Sequence, residues 1–220
     1  MNRPLRISVY FDFICPWCLI GKRNLSQALQ LFAGQHPLTP VELNWIGVQL
    51  LPDLPAAGVP FAEFYLNRLG SAQAVRQRQA QVQDAAARAG LEINLQRIAR
   101  MPNSADAHRL LAHAYALGSP AQLDALLERL FAAYFLRGED LGDRATLLQI
   151  AAECGYPAEQ LANSLHGDGA PFYGPGAHSS SGVPTFVINQ RLALSGAQPP
   201  EVLLGALLRC VEQAAQGSPA

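Results

Sequence analysis

Charge is the first thing this 220-residue sequence has little of: 15% of its residues are Asp, Glu, Lys or Arg, and the formal net charge is −1. Nowhere do the basic residues gather into a block, so the electrostatic footprint of nucleic-acid binding is missing and no nucleic-acid partner is expected. Long apolar runs are missing too. None approaches the roughly 20 residues that cross a bilayer, so no membrane partner is expected. Cysteine is scarce, with 4 residues whose spacing is unlike a disulfide framework, which excludes a fold stapled by disulfides. No fixed-period repeat is present, which excludes a solenoid. The opening "MNRPLRISVYFDFI", two arginines and then apolar residues, weakly imitates a signal peptide, but Asp12 interrupts its apolar stretch and no small-residue cleavage site follows, so a buried first strand is the better reading. A cytoplasmic location is therefore expected, where structural disulfides rarely persist.

What the chain does have is apolar residues, 50% of the total, enough for one large domain or a small domain carrying an insertion. Residues 6–14 read as a buried strand and 16–33 as a helix whose apolar face includes Leu19, Ile20, Leu25, Ala28, Leu29 and Phe32. Val41 to Val48 reads as a second strand, parallel to the first through a right-handed crossover. After the Pro-rich "LLPDLPAAGVP", residues from Phe61 to about Leu165 have helical spacing. The punctuation there is explicit. Ser71 caps one helix that ends at Gly90, and another runs from Asn103 or Ser104 to Gly118. Ser119 with Pro120 opens a third that ends at Gly138, Asp143 a fourth, and Pro157 a fifth. Only "LEINL", 91–95, carries any β pattern in this block. The Gly-, Ser- and Pro-rich stretch from His166 to Gly182 reads as a loop. Then "VPTFVINQ" and "LALSG" form a hairpin turning at 189–191, and Pro199-Pro200 opens a last helix to about Ala215. The order β–α–β, helical block, β–β–α gives an α/β fold: one mixed sheet flanked by helices, with the helical block as an insertion.

At the first strand–helix junction lies "CPWC", Cys15 to Cys18. Two cysteines are half of a structural zinc site, which needs four ligands. The remaining Cys154 and Cys210 stand singly and the histidines are scattered, so no metal is expected; both cysteines read as small buried apolar residues. Position says more. Cys15 directly precedes a helix, where unpaired N–H groups and the helix dipole favour negative charge. A thiolate is that charge, so Cys15 should be a reactive, exposed nucleophile. Cys18, one turn on and more buried, is placed to resolve a mixed disulfide. Pro16 suits the first helical turn. Trp17 adds aromatic surface without positive charge, so the pair should be less oxidising than dithiols near about −120 mV.

The strand-CxxC-helix unit combined with a late Val-Pro-Thr-Phe strand resembles the thioredoxin fold. Within it, "CPWCLIGKRNL", "NSADAHRL", "GVPTFVI" and "SGAQPPEVL" are similar to motifs of the DsbA family, in its FrnE-like branch. The resemblance covers essentially the whole chain. It implies a thioredoxin-like domain from 1–55 and 176–220, with 56–175 as an inserted helical domain. It also implies a cis Val183-Pro184 bond facing the cysteines, with the Val183 backbone pairing to an extended substrate. The activity implied is thiol–disulfide exchange on a disulfide-containing protein or a small thiol. No cofactor is tightly bound, glutathione is a candidate co-substrate, and the oligomeric state is left open. "YFDFICPWCLIG" also resembles the glutathione-dependent 2-hydroxychromene-2-carboxylate isomerases and kappa-class glutathione transferases. Those relatives carry serine where Cys15 stands, which counts against that reading. A chaperone-like cleft that grips unfolded chains is a third.

Other residues carry weaker expectations. Asp12 either shuttles a proton for Cys18 or bonds nearby backbone at the strand end. Asn103 either caps its helix or faces substrate, and His108 reads as solvated or hydrogen-bonded. Lys22 and Arg23 read as a wet helix face able to attract an anion, and Phe172 and Tyr173 as a border to a substrate groove.

Overall fold

The computed structural model describes residues 4–174 and 182–216. The chain packs into two compact units, one of Met1–Phe11, Trp17–Ile46 and Gly174–Ala220, the other of Asp12–Pro16 and Gly47–Tyr173.

The first unit is built on a four-stranded sheet. Strand β1 (Leu5–Phe11) alternates strictly, with Leu5, Ile7, Val9 and Phe11 buried, as its sequence pattern requires of a strand with one face in a core. Helix α1 (Pro16–Gln35) follows the Cys15 turn and runs past Gly34, burying Leu19, Ile20, Leu25, Ala28 and Phe32. Strand β2 (Val41–Gly47) lies on one side of β1. On the other side lies β5 (Thr185–Ile188), antiparallel, with Val9 opposite Phe186 and Tyr10 opposite Thr185. Strand β6 (Leu192–Ser195) completes the order β2-β1-β5-β6. The β5–β6 turn places Asn189 and Gln190 at φ 49° and 58°, the left-handed conformation of a tight hairpin. Asn189 anchors it, its Oδ1 accepting the Arg6 N–H at 2.9 Å. Helix α8 (Pro200–Gln216) packs on β1 and β5.

The second unit is helical apart from one short ladder. Helix α2 (Phe61–Leu69) leads to α3 (Ala72–Arg88), whose cap is Ser71, accepting the Ala74 N–H. Helix α4 (Ala105–Leu117) stops at Gly118. Helix α5 (Pro120–Ala132) begins with the reciprocal Ser119–Gln122 capping box and proline at its first position. It widens into a π-helical turn, Ala133–Arg137, before Gly138 ends it in the left-handed conformation. Helix α6 (Arg144–Glu153) is capped by Asp143, and the short α7 (Ala158–Ala162) follows Pro157. The core is aromatic and aliphatic: Phe13, Leu110, Leu126, Phe131, Tyr134 and Phe135 are all buried.

Two expectations change here. "LEINL" is no strand, because Asn94 Oδ1 accepts the Gln96 N–H and opens a 3₁₀ turn, Leu95–Arg97. The unit's β structure is instead the two-residue ladder of β3 (Val59–Pro60) on β4 (Arg100–Met101). Strand β1 also ends at Phe11 rather than residue 14, because Asp12 turns the chain.

Candidate active site

The site begins where β1 stops. Asp12 is fully buried, and its side chain is the hub of the turn that carries Cys15. Its Oδ1 accepts the Ile14 N–H at 3.3 Å and its Oδ2 the Leu50 N–H at 2.7 Å. Its main-chain oxygen accepts the Cys15 N–H at 3.2 Å. This is the backbone-bonding role weighed for Asp12, with a further partner: His108 Nε2 lies 3.0 Å from Asp12 Oδ1.

Tied inward by these bonds, the turn leaves neither cysteine open. Cys15 is 6% exposed and Cys18 1%, and neither is in a disulfide. Cys18 is the more buried, as expected, but Cys15 is not the exposed sulfur that the sequence suggested. Pro16 opens α1 and, like Trp17, is partly exposed. Tyr65, on α2, senses Cys15: burial pushes its phenol up, negative charge on Cys15 adds to that, and Arg68 and Arg78 oppose it. Tyr65 and Pro16 border one shallow depression with Arg78, over a floor of Phe61, Val82 and Phe135.

Helix α4 brings the "NSADAHRL" residues to this turn. His108 is buried rather than solvated, its ring 5.2 Å from Phe172 at 17° and 5.1 Å from Phe13 at 37°. Gly47 makes room for it, since a Cβ there would collide with the imidazole. Asn103 uses every hydrogen-bonding position of its amide. Oδ1 accepts from Ala105 N at 3.0 Å and Gln49 Nε2 at 2.9 Å, while Nδ2 donates to Leu54 O at 2.7 Å and Gly169 O at 3.0 Å. Gln49 Oε1 in turn accepts the Phe172 N–H at 2.7 Å.

One turn along, Asp106 and Arg109 latch the segment that ends in Phe172. Asp106 accepts the His166 and Gly167 N–H groups at 3.0 and 2.8 Å. Arg109 bonds Asp106 at 2.8 Å and donates to Ala170 O and Pro171 O at 2.6 and 3.0 Å. Burial alone would push the Asp106 carboxyl up, but the His166, Arg109 and Gly167 bonds outweigh it and hold it below the usual carboxylate range. The i,i+3 spacing of Asp106 and Arg109 was visible in the sequence; Gln49 and Tyr65 carried no signal of their own.

In the sheet unit, Val183-Pro184 is cis. Pro184 abuts Gly21 of α1, the turn after Cys18. Lys22 is 8% exposed, with its ammonium 6.0 Å from the Trp45 ring centroid, and so is not the wet residue expected. Phe172 is half-buried and Tyr173 exposed; residues 175–181 of the same loop lie outside the described residues. Among the described residues no three His, Cys, Asp or Glu side chains are placed to share a metal ion, and no helix is long and apolar enough to cross a membrane.

A four-stranded sheet with a CxxC turn at the head of its first helix and a cis-proline before β5 defines a thioredoxin fold. Residues 6–170 match the DSBA-like thioredoxin domain, and the chain belongs to that family. A probable DsbA oxidoreductase from Streptomyces coelicolor is similar over 98% of this chain and 92% of its own, with TM-score 0.80 and 25% identity. The 2-hydroxychromene-2-carboxylate isomerase shares the fold at TM-score 0.61 and 16% identity over 97% of this chain and all (100%) of its own. The cytosolic disulfide reductase DsbM from Pseudomonas aeruginosa, solved with glutathione, shares it at TM-score 0.59 and 17% identity, over 94% and 99% of the two chains. The neighbours are consistent with the FrnE-like branch of the family.

Proposed function

We propose that the protein is a cytoplasmic thiol–disulfide oxidoreductase of the DsbA type. The observation that carries this reading is the pair of thiols, Cys15 and Cys18, spaced by one turn across the start of α1. A thiolate at a helix N-terminus is stabilised by the free N–H groups there. Cys15 attacks one sulfur of a substrate disulfide, forms a mixed disulfide, and expels the other sulfur as a thiolate. Cys18 then attacks Cys15, closes the Cys15–Cys18 disulfide and releases the second substrate thiol. Two electrons pass to the substrate. Two glutathione molecules return them, leaving as glutathione disulfide. The glutathione bound to the DsbM structure supports that co-substrate. In the reverse direction the oxidised pair makes a substrate disulfide.

Residues 1–55 and 176–220 supply the thioredoxin-like half in this reading, and 56–175 the helical half. The Val183 main chain beside cis-Pro184 receives an extended substrate segment. Pro16 and Trp17 border the reacting sulfur. Asn103, whose amide is spent on protein partners, serves substrate only by holding the segments it ties. An isomerase or transferase reading would replace the thiol at 15 by a hydroxyl and has no use for Cys18.

Insulin reduction with glutathione, by the wild-type protein and by Cys15→Ser and Cys18→Ser, tests the reading. Wild type reduces insulin, and both variants lose turnover. Cys18→Ser also accumulates a mixed disulfide at Cys15, visible as added mass. Failure of the wild-type protein to reduce insulin would overturn the reading, and full turnover by Cys18→Ser would overturn its dithiol form, with glutathione rather than Cys18 resolving the mixed disulfide.

A further inference from the structure

Resting on that reading, we propose that the buried Asp12–His108 pair is a positioning unit for Cys15, through which α4 sets the geometry and the electrostatics of the reacting sulfur. Both side chains have 0% exposure, and Asp12 Oδ1 lies 3.0 Å from His108 Nε2. A carboxylate accepts, so Nε2–H donates.

Two features make this pair more than a prop. First, Asp12 sits in the same tight turn as Cys15, and that turn is made by its own acceptors: the carboxylate for the Ile14 and Leu50 N–H groups, the carbonyl for Cys15. Whatever moves Asp12 moves the sulfur. Second, a buried carboxylate so close in the chain opposes a thiolate by like-charge repulsion unless its charge is shared with a donor. His108 is that donor. Its ring is fixed between Phe13 and Phe172, so its aim is set by packing rather than by a mobile side chain. Leaving Asp12 without His108 would therefore both loosen the turn and raise the cost of charge on Cys15. Removing both would relieve the charge. A purely structural pair would behave otherwise, since each loss would add to the last.

The test uses the full chain carrying His108→Leu, His108→Gln, Asp12→Asn, and Asp12→Asn with His108→Leu. Iodoacetamide labelling of Cys15 is followed peptide by peptide at one pH, beside equilibration with a glutathione redox buffer and thermal unfolding. His108→Leu is expected to label about tenfold more slowly, because the unshared Asp12 carboxylate opposes negative charge on Cys15. Its glutathione equilibrium moves toward the Cys15–Cys18 disulfide. His108→Gln, which keeps an N–H donor, recovers to within about threefold of wild type. The double variant labels faster than His108→Leu even if it melts lower. Should His108→Leu fail to fold, the His108→Gln and double-variant comparison with Asp12→Asn carries the test.

A folded His108→Leu protein that labels like wild type would overturn the proposal. So would a double variant no faster than His108→Leu, or labelling rates that merely follow melting temperature. If wild-type Cys15 labels readily yet never exchanges with glutathione disulfide, the oxidoreductase reading falls while the labelling comparison still decides the role of this pair.

Discussion

Gly21 of α1 lies directly against the cis-proline: a Cβ at Gly21 would sit 3.1 Å from Pro184 Cγ and 3.1 Å from Phe186 Cζ. The glycine is thus kept by contact, since its helical position needs no unusual dihedral. Gly21→Ala gains about 1 kcal/mol of helix propensity and loses much of it to crowding, so its melting temperature should stay close to wild type. Gly21→Val has no such balance and should cost about 1–3 kcal/mol through overpacking. Both should slow insulin reduction, because the segment displaced is the one that carries Val183 and Pro184. Denaturant unfolding beside the insulin assay measures the two effects separately.

The latch formed by Asp106 and Arg109 gives a pH dependence with a definite sign. Asp106 is held below the ordinary carboxylate range in the folded protein. Its contribution is therefore complete above the unfolded value of about 3.9 and is lost as pH falls through the lower folded value. Amide exchange at His166 and Gly167 should stay slow from neutral pH down to about pH 4 and accelerate below it. Asp106→Ala should open the same amides at neutral pH and cost about 1–3 kcal/mol, because it removes the carboxylate from a nearly buried Arg109 that keeps only its bonds to Ala170 O and Pro171 O.

Cys154 and Cys210 should take no part in the chemistry. Burial pushes both thiols up, with Arg129 opposing it at Cys154 and Arg209 at Cys210. Little thiolate is therefore present at neutral pH. Peptide-resolved alkylation should label Cys15 well before either. Cys210 is buried as expected, whereas Cys154 is partly exposed; Cys154→Ser and Cys210→Ala should still leave insulin reduction within about twofold of wild type, since neither thiol lies at the CPWC turn.

Trp17 between the two cysteines carries no charge to stabilise a thiolate. The Cys15–Cys18 potential should lie below about −120 mV. Trp17→His should raise it, by about 30 mV for each tenfold change in the glutathione equilibrium. Equilibration in a glutathione buffer, read by mass, gives both numbers.

Much of the scaffold was legible because it rests on local rules. Alternation marked β1, Ser71, Ser119-Pro120 and Asp143 marked helix starts, and Gly118 and Gly138 marked ends. Asn189-Gln190 marked the hairpin. What escaped depends on residues distant in sequence. Asp12 and His108 meet across 96 positions, and Gln49 and Phe172 across 123, with no local pattern to announce either. Lys22 looked solvated because a charged side chain on a helix usually is; it is buried instead, with its ammonium over the Trp45 ring. Burial of Cys15 escaped for the same reason, since the inward pull on its turn comes from Leu50 and His108.

The π-helical turn at Ala133–Arg137 makes the end of α5 a phase adjuster. One extra residue there frees the Phe135 carbonyl to accept the Asn94 N–H at 3.2 Å and aims the Tyr134 hydroxyl at Arg100 O, 3.3 Å away. Deleting a single residue from this stretch would restore regular α-helical spacing and swing every side chain before Gly138 by about 100°. The helix would gain regularity, and the floor that Phe135 supplies beneath Tyr65 and Pro16 would turn out of register with its walls.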